Sequence, residues 1–94
     1  KEVRNDYISL AVVMCESNGQ HDGVWGDKGK AYGITQYHKT TFQEHAKKTN
    51  LNIKWDWKNK QHQLFLLNWA IDNGEGNKWT CYQQVKRLAQ EMGL

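Results

Sequence analysis

Near the start of the chain, apolar positions are almost continuous. Residues 7–15 contain one polar side chain, Ser9, and the stretch is preceded by Asn5 and Asp6, which are both favourable helix N-caps. A helix that is apolar nearly all round is normally buried on every side. The pattern therefore predicts a central buried helix that ends at Glu16.

A polar, glycine-rich stretch follows over residues 17–32. Gly and Asp are common in turns, and Val24 with Trp25 provides the main apolar anchor. We expect an irregular loop or a small hairpin directly after Glu16.

A second helix is indicated by two overlapping capping boxes. Thr40 and Thr41 are each followed three positions later by a residue that can complete the box, Gln43 or Glu44. This helix is expected to end near Asn50.

Two further helices are predicted in the second half of the chain. The third covers about residues 59–73 and stops at Gly74, and the fourth starts at Thr80, with Gln83 three positions later, and closes at Gly93. Helical spacing of apolar residues supports both: Leu64, Phe65, Leu67, Trp69 and Ile71 in the third, and Val85, Leu88, Ala89 and Met92 in the fourth. The chain is expected to form one mainly α domain over residues 1–94.

Composition narrows the classes of partner. The net charge is +3 with lysines scattered among acids, whereas a duplex-DNA footprint clusters its charge on one face, so a nucleic-acid-binding domain is the least favoured interpretation. Five Trp and four Tyr suit stacking on sugars or on nucleic-acid bases. No apolar run reaches the roughly 18 residues of a membrane span. Because the chain begins at Lys1, we expect it to be a mature form or a domain of a larger protein. If it is not such a domain, we expect it to be a monomer.

Cysteine and histidine spacings do not match a metal site, and no metal or cofactor is expected. Cys15 and Cys81 are either two buried free thiols or one disulfide. The disulfide is favoured, and it indicates a location outside the reducing cytosol. All the histidines are interpreted as solvated side chains: His21, His38, His45 and His62.

Glu16 is the candidate of most chemical interest. Burial at the end of an apolar helix favours the protonated form of a carboxyl group, which general acid catalysis requires. A surface Glu on the last helical turn is the structural alternative. Asp22 and Asp27 in the next loop could pair with Glu16 as the two carboxylates of glycosidases do, although such loops are commonly only turns.

Two later segments combine small and polar residues. In residues 31–37, Gly33 would let the backbone approach a ligand and Gln36 would supply an amide, or the segment is a buried connector. In residues 70–76, a glycine-stopped helix with a polar turn is a sufficient explanation.

Taken in order, these segments resemble the lytic transglycosylase and goose-type lysozyme superfamily. Glu16-Ser17 matches its Glu-Ser pair, and Gly33-Ile34-Thr35-Gln36-Tyr37 with Thr41 matches its second motif. Residues 70–76 match the third motif in the Ala and both Gly. Cys15 and Trp79-Thr80-Cys81 are similar to a compact lysozyme-like branch found in secreted bacterial and phage proteins.

The resemblance spans roughly residues 5–82 and implies a function. Glu16 would be the general acid at the bond between N-acetylmuramic acid and N-acetylglucosamine, and either Glu16 itself or a second carboxylate would act as base. The second carboxylate would be one of Asp22, Asp27 and Asp72. Substrate-binding roles are implied for five residues: Ser17, Trp25, Tyr32, Gln36 and Tyr37.

One position departs from the family pattern. The family's Tyr in the third motif is Ile71 here, and its Asn is Asp72. The missing hydroxyl would then come from Tyr32, Tyr37 or Tyr82.

The leading hypothesis is therefore a peptidoglycan-cleaving enzyme, a muramidase-type hydrolase or a lytic transglycosylase (a lyase). Its partner would be the glycan strands of the bacterial cell wall. It would be secreted, periplasmic, cell-wall-associated or delivered by a phage. The alternative is a non-catalytic module of the same fold that binds peptidoglycan or a chitin-type glycan.

Overall fold

The computed structural model describes residues 3–93 and is mainly helical. The helices are α1 (Val3–Ser17), α2 (Lys39–Lys48), α3 (Lys60–Asp72) and α4 (Thr80–Glu91). Short strands lie between α1 and α2: β1 (Trp25–Gly26), β2 (Ala31–Tyr32) and β3 (Tyr37–His38). Single 3-10 turns occupy Asp27–Gly29 and Gly76–Lys78.

Helix α1 packs against α3 and α4, but it is not buried on every side. Val12 and Val13 point into the core, whereas Tyr7, Leu10 and Met14 are 64%, 60% and 49% exposed. The prediction that α1 is buried on every side is therefore wrong for the face that carries Tyr7, Leu10 and Met14. Continuous hydrophobicity shows that a helix is apolar, but the number of neighbours that cover it is decided by the other elements.

The capping boxes at the second and fourth helices do not form. Helix α2 starts at Lys39 with His38 as its N-cap, so Thr40 and Thr41 lie inside the helix. Helix α4 has Trp79 as its N-cap, and no side chain of the cap residue bonds the first turn. Strand β3 runs directly into α2, so the pairing of the sheet decides where that helix begins.

Helix α3 follows the prediction at both ends. The Asn59 side chain caps it by accepting a hydrogen bond from the His62 N–H, 3.0 Å away. At the other end Gly74 has a φ of 76°, and the Glu75 N–H bonds the Ala70 carbonyl at 2.7 Å, which is the Schellman arrangement. The predicted apolar face is partly wrong, because Phe65 is 48% exposed.

Of the two forms expected for the glycine-rich stretch, the structure shows the hairpin (β1 and β2), and β3 from the next segment extends it to three antiparallel strands in the order β1-β2-β3. Trp25, Tyr32 and Tyr37 pair across the strands in one row. Directly paired residues share a face of a sheet, so these three rings lie on one side.

A disulfide joins Cys15 at the end of α1 to Cys81 in the first turn of α4, as expected from the sequence, with the two Cα atoms 6.0 Å apart. It links the end of α1 to the start of α4, two helices that also pack against each other. None of the helices in residues 3–93 has the length and apolar character that a bilayer span requires.

Candidate active site

Glu16 lies in the last turn of α1 and is partly buried. Burial raises the pKa of its carboxyl group above the ordinary 4.5, because desolvation penalises the charged form. A hydrogen bond from the backbone of Cys81 opposes this shift by favouring the carboxylate, but burial is the larger cause. The result is a carboxyl group that holds its proton at higher pH than a solvated Glu.

The Cys81 backbone contact has a structural origin. Cys81 is in the first turn of α4, where N–H groups have no partner within the helix. Trp79 supplies no side-chain cap, and the disulfide at the neighbouring Cys15 keeps the end of α1 close. Glu16 therefore serves as an acceptor for the start of α4 from another helix.

Ser17 connects this helix end to the turn between β2 and β3. Its hydroxyl lies 2.7 Å from the Ile34 carbonyl and 3.2 Å from the Val13 carbonyl. Because a hydroxyl has one proton to donate, the shorter contact to Ile34 is the stronger one. The second motif is thus held against the residue that follows Glu16, and Ser17 has a positioning role.

Gly33 makes a close approach, but to protein side chains instead of the expected ligand. Its φ is 84°, and a Cβ at this position would collide with the His21 ring and with Gln63 Nε2. His21 Nδ1 accepts from the Ile34 N–H at 3.0 Å, and its Nε2 lies 2.7 Å from the Lys58 carbonyl. These partners require the neutral tautomer with the proton on Nε2, so the prediction of a solvated His21 is wrong.

Gln63 organises the same turn and was missed from the sequence. Its side chain is fully buried; Oε1 accepts from the N–H and the hydroxyl of Thr35, at 3.1 and 2.7 Å. Its Nε2 donates to the carbonyls of Tyr32 and Trp57, at 2.9 and 2.8 Å. An amide beside the apolar run of α3 is the only signal that the sequence contains for this role.

Gln36 uses its amide group within the protein. Its Nε2 donates to the carbonyls of Val24 and Gly33, at 3.1 and 2.9 Å, and its Oε1 lies against Gly26, where a Cβ would collide with it. The Nε2 group therefore makes both of its hydrogen bonds within the protein. The Gln36 amide joins the turn to the residues before β1, and its substrate-binding role stays a prediction.

The two predicted tyrosines are also buried. Tyr37 is 1% exposed, and its hydroxyl lies 2.8 Å from His45 Nδ1. Tyr32 is 8% exposed, and its hydroxyl accepts from the Gly23 N–H at 3.1 Å. Tyr37 cannot stack on a sugar, whereas Trp25 is 49% exposed and is available.

The candidate second carboxylates lie in different places. Asp72 accepts from Asn5 at 2.9 Å, and Asn5 is in the first turn of α1. Eleven residues at 1.5 Å each separate Asn5 from Glu16, which is about 16 Å along the helix axis. Asp72 is therefore at the wrong end of α1 to act with Glu16.

Asp27 and Asp22 are both exposed. Asp27 lies 2.9 Å from His38 Nε2, which gives His38 a carboxylate partner. This pair occupies the side of the sheet that carries Gly26 and Ala31, opposite the row of three aromatic rings.

The structure also shows a buried histidine that was expected to be solvated. His45 is fully buried between the Tyr37 hydroxyl and Glu75, whose Oε1 lies 3.3 Å from His45 Nε2 without the alignment of a hydrogen bond. Burial lowers the pKa of His45 despite the nearby carboxylate. Lys48 contacts Glu75 at 3.1 Å, and the two partners lower the pKa of Glu75 in spite of its desolvation.

Ile71, at the position of the family's Tyr, is 6% exposed in the core. The hydroxyls of Tyr32 and Tyr37 are engaged elsewhere, as described above. Tyr82 follows Cys81 directly, and its ring lies close enough to Gly76 that a Cβ there would come within 3.0 Å of it. Of the three candidates for the missing hydroxyl, Tyr82 is the one whose sequence position keeps it near Glu16.

Two cavities adjoin the sheet. A niche of about 100 Å³ includes Gln36, His38, Thr41 and Trp79. A groove of about 910 Å³ lies between α2 and residues 50–58 and includes Trp25. Glu16 lines neither of them. Within residues 3–93, no three His, Cys, Asp or Glu side chains gather as a set that could hold a metal ion.

Comparison with protein-family models gives no match, and comparisons with curated proteins and with solved structures give no significant match. The resemblance to lytic transglycosylases therefore rests on the motifs of the sequence alone.

Proposed function

We propose that the protein cleaves the glycan strands of peptidoglycan, with Glu16 as the general acid. The observation that carries this proposal is the setting of Glu16. It is a partly buried carboxyl group at a helix end, with a raised pKa and a backbone hydrogen bond that holds it in place. Glycosidases need an acid of this kind to protonate the oxygen of the leaving sugar.

The reaction begins when the Glu16 carboxyl group transfers its proton to the glycosidic oxygen, and the C1–O bond breaks. The Glu16 carboxylate that results then accepts the proton of the 6-hydroxyl of the sugar that contains this C1, while the oxygen of that hydroxyl bonds to C1. The product is a 1,6-anhydro sugar, and Glu16 regains its proton. This route needs one carboxyl group, and the position of Asp72 at the far end of α1 supports it over hydrolysis.

Hydrolysis would need a second carboxylate to activate water. Asp22 and Asp27 are the exposed carboxylates of the loop that follows Glu16. Mass spectrometry of digested peptidoglycan distinguishes the two reactions, because anhydro ends are one water lighter than reducing ends. We expect anhydro ends; reducing ends alone would contradict the single-carboxylate route.

The direct test is Glu16→Gln, which keeps the size of the side chain and removes its proton chemistry. We expect at least a hundredfold loss in the release of soluble fragments from purified peptidoglycan. Glu91→Gln, at an exposed position at the end of α4, is the control for the loss of one carboxylate. Full activity of a folded Glu16→Gln protein would overturn the proposal.

A non-catalytic glycan-binding module is the second candidate. It is favoured by Ile71, a buried apolar residue where the resemblance implies a tyrosine. In that case the wild type and Glu16→Gln would both sediment with peptidoglycan, and neither would release fragments. Under either function, the disulfide supports a location outside the reducing cytosol.

A further inference from the structure

The larger of the two cavities beside the sheet has the character of a binding groove. It measures about 910 Å³, which is within the range of natural ligand sites. We call it the tryptophan groove. The lining residues on which the argument depends are Trp25, Trp55, Trp57, Lys39, Lys47 and Lys58.

The tryptophan groove is distinct from the surroundings of Glu16. It includes Trp25, which shares one face of the sheet with Tyr32 and Tyr37. The small niche, which includes Tyr37, His38 and Trp79, shares none of its described lining residues with the groove. Glu16, which accepts a hydrogen bond from the backbone of Cys81, does not line the groove.

The aromatic rings of the groove are held in place before any ligand binds. Trp57 Nε1 donates to the Tyr37 carbonyl at 2.8 Å, and the Trp57 ring meets Trp25 edge-on at 6.0 Å. Trp25 also packs edge-on against Tyr32 at 4.7 Å while remaining 49% exposed. Rigid rings of this kind lose little conformational entropy on binding.

The charge of the groove is positive. Lys39, Lys47 and Lys58 contribute ammonium groups, and Asp56 is the one carboxylate in its lining. The Lys58 ammonium lies 5.0 Å from the centre of the Trp25 ring, so charge and aromatic surface coincide. A ligand that has both apolar ring faces and carboxylates matches this combination.

We propose that the tryptophan groove binds an uncleaved stretch of a carboxylate-bearing glycan strand. The C–H faces of the sugars would pack on the indole rings, and the carboxylates would contact the lysines. Identifying that glycan as peptidoglycan rests on the proposed function, whereas its chemical class rests on the groove alone. Binding here would hold a strand to the protein independently of the bond that Glu16 cleaves.

The test uses the Glu16→Gln protein, so that binding can be measured without cleavage. The probe is a soluble glycan strand of alternating N-acetylglucosamine and N-acetylmuramic acid with free lactyl carboxylates. Its affinity is compared with those of an uncharged chitin oligomer of equal length and a single-stranded DNA of equal charge. The groove variant Lys47→Gln/Lys58→Gln is compared with a control pair outside the lining, Lys30→Gln/Lys86→Gln.

We expect the groove variant to bind the charged glycan about fivefold more weakly and the control pair to bind it as before. Added salt should weaken the parent protein toward the level of the groove variant. The inference is overturned if both lysine pairs lose equal affinity, if the uncharged oligomer binds as tightly, or if DNA binds at least as well as the glycan. If Glu16→Gln turns out to retain full lysis, the proposed function fails, but the comparison of variants still decides the groove.

Discussion

The protonation of Glu16 depends on two helices that pack against each other, α1 and α4. Its position at the end of α1 provides the burial that raises its pKa, and α4 provides the N–H that favours the charged form. Ser17, the next residue, uses its hydroxyl to hold Ile34. The Glu-Ser pair therefore places a carboxyl group of raised pKa directly before a hydroxyl that positions the turn between β2 and β3.

The raised pKa of Glu16 predicts a pH-dependent effect on stability. A carboxyl group whose pKa is raised on folding stabilises the protein fully below the unfolded value of 4.5, and this contribution is lost as the pH rises through the folded value. In Glu16→Gln the side chain stays neutral at all pH. We expect the melting temperature of Glu16→Gln to exceed that of the wild type at pH 7, and the difference to shrink toward pH 4.

The measurement is thermal unfolding of both proteins between pH 4 and pH 8, with Glu91→Gln as the control for the change in net charge. A difference that is independent of pH would show that Glu16 does not change its proton affinity on folding. A difference that grows toward acid pH would reverse the assigned direction.

At the scale of elements, the turn between β2 and β3 joins the parts of the site. Thr35 contacts Gln63 of α3, and its carbonyl accepts from the Trp79 indole at 2.8 Å. Ser17 and His21 hold Ile34 from the other side. Four separate segments thus meet at one turn. His21 and Gln63 can approach its backbone so closely because Gly33 has no side chain.

Gly33→Ala is expected to destabilise the protein more than Gly29→Ala. Both glycines have positive φ, so each substitution costs about 1–2 kcal/mol of backbone strain. An added Cβ at Gly29 meets nothing within 4 Å, whereas at Gly33 it collides with His21 and Gln63. We expect a total of about 3 kcal/mol or more at Gly33, measured by chemical denaturation. Equal losses at both positions would contradict the packing of this turn.

The same elements show how far the sequence alone reaches. Helix α3 and its Gly74 stop, the hairpin and the Cys15–Cys81 pair were predicted from residues adjacent in the chain or from a matched motif. The network around Gln63 was missed, because its partners are 6 to 31 residues away in sequence. Polar partners at such separations are defined by the packing of elements, which no local pattern encodes.

At the scale of the whole molecule, the disulfide closes a loop between residues 66 positions apart. A crosslink of this length removes about 4 kcal/mol of chain entropy from the unfolded state. That is a large part of the roughly 5–15 kcal/mol by which small domains are stable. The constraint acts where the Glu16 carboxylate meets the start of α4.

We expect Cys15→Ser/Cys81→Ser to lose about 4 kcal/mol of unfolding free energy in guanidinium titrations. Wild-type protein with the disulfide reduced should unfold at nearly the same midpoint, which separates the crosslink from the side-chain substitutions. A loss below about 1 kcal/mol would show that the contacts between α1 and α4 hold the helix ends together without the crosslink.

Sequence by itself determined the mainly helical class and the choice of Glu16 as a candidate, and it left the segment after Glu16 open as a loop or a hairpin. These features depend on periodicity, glycine positions and motif order, all of which are local. Tertiary structure decided that Asp72 lies beside Asn5 near the start of α1, about 16 Å along the helix axis from Glu16. It also decided that Gln36 and Tyr37 are engaged inside the protein and that three tryptophans line one groove. The physical reason is that the packing of elements sets which side chains are buried and which groups they bond. The same local sequence pattern is compatible with a side chain that faces solvent and with one that is engaged inside the protein.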